Sequence, residues 1–210
     1  NKLERLCQLG KEREGNIIGV YPEGLVLQRS WISSEYAGDG LQDQLPHLQY
    51  ELQLYSLREN RLTDTGFAWT QGELSFTAGQ GIVYFVKNGG ACLYAHDLQN
   101  GKERIVTDNI FGEVQPAPAA SVMLMGEIHD NHIMFSSSTG EHTRYYSYNL
   151  TTQETLPLSL SFTHEGGEIP VFIQDETDQY FLVNGGMMGI TRSAAGPDGS
   201  LYTIDSSMTE

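Results

Sequence analysis

Cysteine is almost absent from this chain, and positive charge and long apolar runs are scarce. Only Cys7 and Cys92 occur in 210 residues, too few for a disulfide framework or a four-ligand zinc site. Each lies among alternating apolar residues, where a small buried thiol is expected rather than a bridge between the two. Basic residues number 12 against 27 acidic ones, a formal net charge of −15. Such a surface repels nucleic-acid phosphates and anionic membranes. Its first use is solubility, and attraction of a cationic partner or calcium is the lesser reading. No apolar run approaches the ~20 residues that cross a bilayer as a helix. The chain opens at Asn1 without an initiator methionine. It therefore reads as a mature or excised segment, and the lack of a targeting segment says nothing of destination.

Signatures of catalysis are missing too. The serines, Ser136-Ser137-Ser138 among them, do not sit in a glycine-flanked nucleophile elbow. No glycine-rich loop leads into a helix, so phosphate binding is unsupported. Gly38-Asp39-Gly40 with Asp43, and Pro197-Asp198-Gly199, lack the ligand spacing of a calcium loop and read as turns. His129 and His132 lie three residues apart but flank a hairpin turn, where the pair is expected to point to opposite sides or outward rather than to share a metal. His96 reads as an ordinary strand histidine beside Asp97. Asn149-Leu150-Thr151 is a formal glycosylation acceptor at a strand end. No catalytic residue, metal ligand or cofactor is expected from these motifs.

What the chain does have is glycine, at 23 residues, and tyrosine, at 11, with a modest hydrophobic share of 39%. That mixture suits short strands and tight turns better than packed helices. A repeat confirms the impression. In its clearest copy, Gly81-Ile82-Val83-Tyr84-Phe85 is one strand and Leu93-Tyr94-Ala95-His96-Asp97-Leu98 the next. The turn Gln99-Asn100-Gly101-Lys102 then leads to Arg104-Ile105-Val106-Thr107.

The same order recurs three times. Gly24 to Leu27 is followed by Leu52 to Leu57 and, after Arg58-Glu59-Asn60, by Arg61-Leu62-Thr63. Asn131 to Phe135 is followed by Tyr145 to Leu150, the turn Thr151 to Glu154, and Thr155 to Leu158. Gln179 to Val183 is followed by Leu201 to Asp205. An apolar segment precedes each copy as a first strand: Asn16 to Val20, Glu73 to Thr77, Ser121 to Ile128 and Ile169 to Ile173. Four strands per unit at a spacing of ~40–55 residues is the grammar of propeller blades.

The expected fold is thus all-β: a single β-propeller domain over 1–210, with four-stranded blades at about 10–66, 67–109, 110–162 and 163–210. The last blade lacks an outer strand on this reading, while Leu3 to Leu9 has no blade of its own. Strand 1–9 can fill that place and close the ring, leaving no exposed edge; the rival is an arc of a larger ring.

Leu93-Tyr94-Ala95-His96-Asp97-Leu98 with Asn100-Gly101-Lys102 resembles the TolB-like, WD40-related repeat. The other copies match loosely: the first lacks the aspartate, the third has Asn149 in its place, and the fourth keeps Asp205 without the turn. The whole chain is similar to propeller lipoproteins of Gram-positive bacterial envelopes. The resemblance implies a propeller at an extracytoplasmic or cell-surface location, with a lipid anchor outside these residues as the sole tie to a membrane. It implies no activity, since propellers host enzymes, receptors and scaffolds alike.

Ligand contacts are sought where the chain departs from its own repeat. Between second and third strands the second copy needs only Lys87 to Ala91, whereas the first spends Ser33 to Gln49 and the fourth Asn184 to Ser200. Long loops in a compact repeat are often functional. Trp31 and Tyr36 near one, and Met187, Met188 and Arg192 in the other, are residue types favoured at interfaces. The same residues would equally serve to plug a central channel.

The favoured function is a non-enzymatic binding or scaffolding module for a protein, peptide or glycan, with no nucleic-acid partner. The alternative is a glycan hydrolase or lyase using channel carboxylates, for which Glu73, Glu127 and Glu168 are the candidates. A third reading is a sensor fragment of a longer protein.

Overall fold

The computed structural model describes residues 14–21, 24–33, 44–114, 121–129, 131–139, 142–163, 169–174, 180–185, 191–195 and 201–205. These form four sheets. The first holds β1 (Glu14–Tyr21), β2 (Gly24–Ile32), β3 (Leu48–Ser56) and β4 (Arg61–Thr70), and the second β5 (Leu74–Gly79), β6 (Ile82–Lys87), β7 (Leu93–Asp97) and β8 (Glu103–Thr107). The third holds β9 (Ser121–His129), β10 (His132–Ser138), β11 (His142–Asn149) and β12 (Thr155–Thr163), and the fourth β13 (Ile169–Gln174), β14 (Tyr180–Gly185), β15 (Thr191–Ala195) and β16 (Leu201–Asp205). Within each sheet the strands lie side by side in chain order, with antiparallel registers. Four short strands meandering in order is a blade, as the repeat predicts.

The fourth sheet corrects one expectation. Leu201–Asp205 is its fourth strand, not its third; the third place is taken by Thr191–Ala195, paired residue for residue with β16. Thr191-Arg192-Ser193-Ala194-Ala195 carries no large apolar side chain, so it has no period-two signal to read, yet a ladder needs only backbone donors and acceptors. The supposed long loop from Asn184 to Ser200 therefore contains a strand. The expected strand Leu3 to Leu9 lies outside the described residues, as does Cys7. Cys92 is a half-buried free thiol.

The turn between third and fourth strands explains why the copies look unequal. In the second sheet the Asp97 carboxylate accepts the N–H of Gln99 at 2.8 Å and of Asn100 at 3.2 Å, and the Asn100 amide donates to it at 2.7 Å. Gly101, at φ +67°, returns its N–H to the Asp97 carbonyl at 2.9 Å. In the third sheet the Asn149 side-chain oxygen accepts from Thr151 and Thr152 at 2.8 and 3.0 Å, and Gln153, at φ 61°, donates to the Asn149 carbonyl. In the first, the Ser56 hydroxyl accepts from Glu59 at 3.1 Å and Asn60 takes the positive φ, 50°. Carboxylate, amide and hydroxyl thus do one job, capping donors that the turn would otherwise leave free.

The chain divides into two compact units, Asn1–Asn88 with Tyr94–Val106, and Gly89–Leu93 with Thr107–Glu210. The core of the former joins its two sheets through β4. Leu52 on β3 faces three residues of β4, because Glu51 pairs with Ala68 and Gln53 with Asp64. Gly66, at φ +71°, makes this bulge, and Thr65 and Phe67 on either side of it both turn inward. Phe67 meets Phe76, Phe85 and Trp69, and Trp69 stacks on Tyr50 at 5.1 Å. His96 is a core group: buried and packed on Phe67, its Nε2–H donates to the Thr65 carbonyl at 2.9 Å. With Val26, Leu52, Leu54, Val83 and Leu98, these rings form one apolar cluster.

In the other unit the third sheet buries Ile133, Phe135, Tyr146, Tyr148, Val122 and Leu124, which the registers place on one face. Phe111 caps that face, edge-on to Phe135 at 5.4 Å and Tyr146 at 5.3 Å. Tyr145, pointing the opposite way, is also buried, and loss of solvent pushes its hydroxyl up to about 12. Burial likewise raises Tyr148, and Tyr84 in the first unit, where Arg104 partly offsets it.

Two outcomes follow. Asp97→Ala should lower unfolding free energy by about 1–2 kcal/mol while Asp97→Asn, the third sheet's own solution, loses far less; urea denaturation of both variants checks this. A phenol held neutral in the fold is a stabilising contribution present below the unfolded value near 10. As the pH rises above it the unfolded chain loses the proton first, so stability should fall between pH 10 and about 12. The urea midpoint, with tyrosine ionisation followed by ultraviolet absorbance, measures it.

Candidate functional site

The residues singled out for ligand contact are distributed as follows. Trp31 is half-buried in β2, paired with Gln49. Arg192 lies in β15 opposite Ile204, a ladder position rather than a loop. Tyr36, Met187 and Met188 lie outside the described residues. Of the three glutamates, Glu73 is exposed and its carboxylate accepts the Thr70 N–H at 2.9 Å, so it caps the β4–β5 turn. Glu127 is a β9 residue and Glu168 lies outside the described residues. The backbones of His129 and His132 are register partners across the β9–β10 hairpin. Among the described residues no three histidine, cysteine or acidic side chains come together as a metal would require.

The structure instead forms a cavity of about 680 Å³ at one end of the third sheet. It lies at the end where β9 turns into β10 and β11 into β12, away from the β10–β11 connection. One wall is the β11–β12 turn, Thr152, Gln153 and Glu154, running on to Thr155 and Leu156; the facing wall is Gly112, Glu113 and Val114; His132, Ser147 and Asn149 come from the sheet. Each wall is built by local hydrogen bonding. The capping by Asn149 described above sets the first. The second is a turn in which Asn109 accepts from the Phe111 N–H and donates through its amide to the Gly112 carbonyl, both at 3.1 Å, and Phe111 anchors it to the sheet. A hydrogen bond from the Thr155 hydroxyl to the Ile110 carbonyl ties one wall to the other.

Inside, alternation puts Ser147 and Asn149 on the same face of β11, with His132 opposite Asn149 and Leu156 opposite Ser147. The Asn149 amide N–H donates to His132 Nε2 at 3.1 Å, which fixes that nitrogen as an acceptor in this arrangement. Asn149 is thereby spent on the turn and on His132, a positioning role. Among the described residues the buried Ser147 hydroxyl has no hydrogen-bond partner, and none of them stands against it as the base that a nucleophile requires. Thr152, Gln153, Glu154 and Glu113 are exposed. The arrangement offers hydroxyl, amide and carboxylate groups to a polar ligand, beside the apolar edge of Val114 and Leu156. In the sequence the His129–His132 spacing and the turn after Asn149 were visible separately, but only the sheet register brings them to one end.

No protein-family model matches the chain, and no curated protein matches it by sequence. Solved structures do share its fold. An oligogalacturonate lyase in complex with manganese is 13% identical with a TM-score of 0.58, over 95% of this chain and 55% of the lyase. A puromycin-hydrolyzing peptidase of Mycobacterium tuberculosis is 11% identical with a TM-score of 0.50, over 92% of this chain and 31% of the peptidase. The chain thus spans about half the length of the first and under a third of the second. At such identities the likeness is one of fold alone. The chain is an all-β protein of β-propeller type, built from four-stranded blades.

Thr155→Val keeps the side-chain shape and removes the tie to the buried Ile110 carbonyl. It should cost about 1–2 kcal/mol in chemical denaturation, the usual penalty of a lost hydrogen bond with one partner left buried.

Proposed function

We propose that this chain is a non-enzymatic binding propeller whose ligand is a glycan, held in the cavity of the third sheet. The observation that carries the reading is the cavity's lining: exposed hydroxyl, amide and carboxylate side chains from two facing turns, with a small apolar edge. Such a surface matches a sugar, which offers many hydroxyls and a modest apolar face, better than it matches an apolar cofactor. Ser147 without a base argues for binding over acyl chemistry. An extracytoplasmic location and membership of the TolB-like group belong to the same proposal, supported by the repeat Leu93 to Lys102.

The second reading is a glycan lyase or hydrolase, and the shared fold with an oligogalacturonate lyase favours it. The two separate on one experiment. Oligosaccharides incubated with the protein should be bound, by calorimetry, and recovered uncleaved. Gln153→Ala with Glu154→Ala should weaken binding about fivefold or more, the equivalent of one net hydrogen bond, without altering the thermal midpoint. New reducing ends or unsaturated products would favour the enzyme, and unchanged affinity in the double variant would move the ligand elsewhere.

A further inference from the structure

Asparagine followed by glycine is chemically labile, because glycine has no Cβ to shield its backbone nitrogen from the preceding side-chain amide. The chain holds three such pairs, Asn88-Gly89, Asn100-Gly101 and Asn184-Gly185. The last runs inside β14, its backbone register-paired with Pro170 and Ile169. The other two sit in turns of the second sheet, and their surroundings differ.

At Asn100 every group the reaction needs is held. The side-chain amide donates to the Asp97 carboxylate at 2.7 Å, and the side-chain oxygen accepts the Lys102 N–H at 2.9 Å. The Gly101 N–H donates to the Asp97 carbonyl at 2.9 Å. The Asn88 side chain, by contrast, is exposed and makes no hydrogen bond among the described residues, and neither does the Gly89 N–H. What is fixed there is the backbone on either side. The Asn88 N–H donates to the Glu73 carbonyl at 2.7 Å, and the Gly89 carbonyl accepts the Val122 N–H at 2.8 Å. Geometry also selects this dipeptide. Asn88 has a φ of 50°, which few side chains other than asparagine tolerate. Gly89 has a φ of +67°, and a Cβ there would lie 3.0 Å from that of Ser121. The turn that follows β6 thus calls for the reactive pair.

We infer that Asn88 is a site of spontaneous deamidation in the folded protein, and that the Asp97 turn protects Asn100. The Gly89 nitrogen gives up its proton and attacks Asn88 Cγ. A C–N bond forms, closing a cyclic imide, and the side-chain nitrogen leaves as ammonia. Water then opens the imide at either carbonyl. One product is aspartate; the other is isoaspartate, with an extra methylene in the backbone between the two anchored groups. Either adds a negative charge.

The test is ageing of the native protein in mildly alkaline buffer, with the same protein in urea as the unfolded control. Fragment mass spectrometry locates each conversion by the mass gained as amide becomes carboxyl. A hydrogen bond that must open first slows a step about fivefold, so Asn100 should convert at least about tenfold more slowly than Asn88 in the fold. In urea the two should react at similar rates. Asp97→Ala, which frees the Asn100 amide, should speed Asn100 about fivefold or more and leave Asn88 unchanged. Asn88→Gly, which keeps the left-handed backbone, should abolish the fast conversion. Equal rates at the two asparagines in the folded protein, or faster conversion at Asn100, overturns the inference. So does an Asn88 that stays intact in the fold while the urea control converts, or no rise at Asn100 in Asp97→Ala.

Discussion

A hairpin between two strands leaves several backbone N–H groups pointing inward with no ladder partner, and the fold of this chain depends on how those donors are met. Asp97, Asn149 and Ser56 meet them with three different side chains at one structural position. The turn that results hands the chain from third to fourth strand and sets where β4, β8 and β12 begin. In the third sheet the same capped turn projects Thr152, Gln153 and Glu154 as a cavity wall. Repeat architecture and the proposed ligand site share one local constraint.

Beyond the turns, polar groups are placed where a packed core needs direction. The bulge at Gly66 turns Thr65 and Phe67 inward together, and the His96 imidazole, donating to the Thr65 carbonyl, fixes the docking of β4 on β7. Thr155 does the corresponding work in the other unit by reaching the Ile110 carbonyl. Each contact satisfies a backbone oxygen at a place where apolar packing alone would leave the sheets free to slide.

The propeller grammar was legible because its signals are local: glycine at the hairpins, apolar alternation, and a capping residue at a fixed offset. Asp97 to Lys102 showed the turn outright, and Asn149 showed it in substituted form. Thr191 to Ala195 was invisible, since a strand without large apolar side chains carries no alternation, and so Leu201 to Asp205 was placed one strand too early. The candidate site was legible only in pieces. His132 and Asn149 are 17 residues apart, and nothing in either neighbourhood announces that β10 and β11 pair so as to align them. Ser147 is harder still, because its place beside the cavity follows from its cross-strand pairing with Met134 and Leu156. The strand at Thr191–Ala195 breaks up the apparent long loop around Arg192, whereas the connection between Ile32 and Leu48 beside Trp31 stays long.

The central claim is that one end of the third sheet holds a polar ligand. Mapping by amide chemical shifts tests it most directly, using the labelled protein and whichever oligosaccharide it binds. The account predicts that perturbations concentrate on Gly112 to Val114, His132, Ser147 and Thr152 to Leu156. Perturbations that spare those residues and gather around Trp31 and the β2–β3 connection would contradict it.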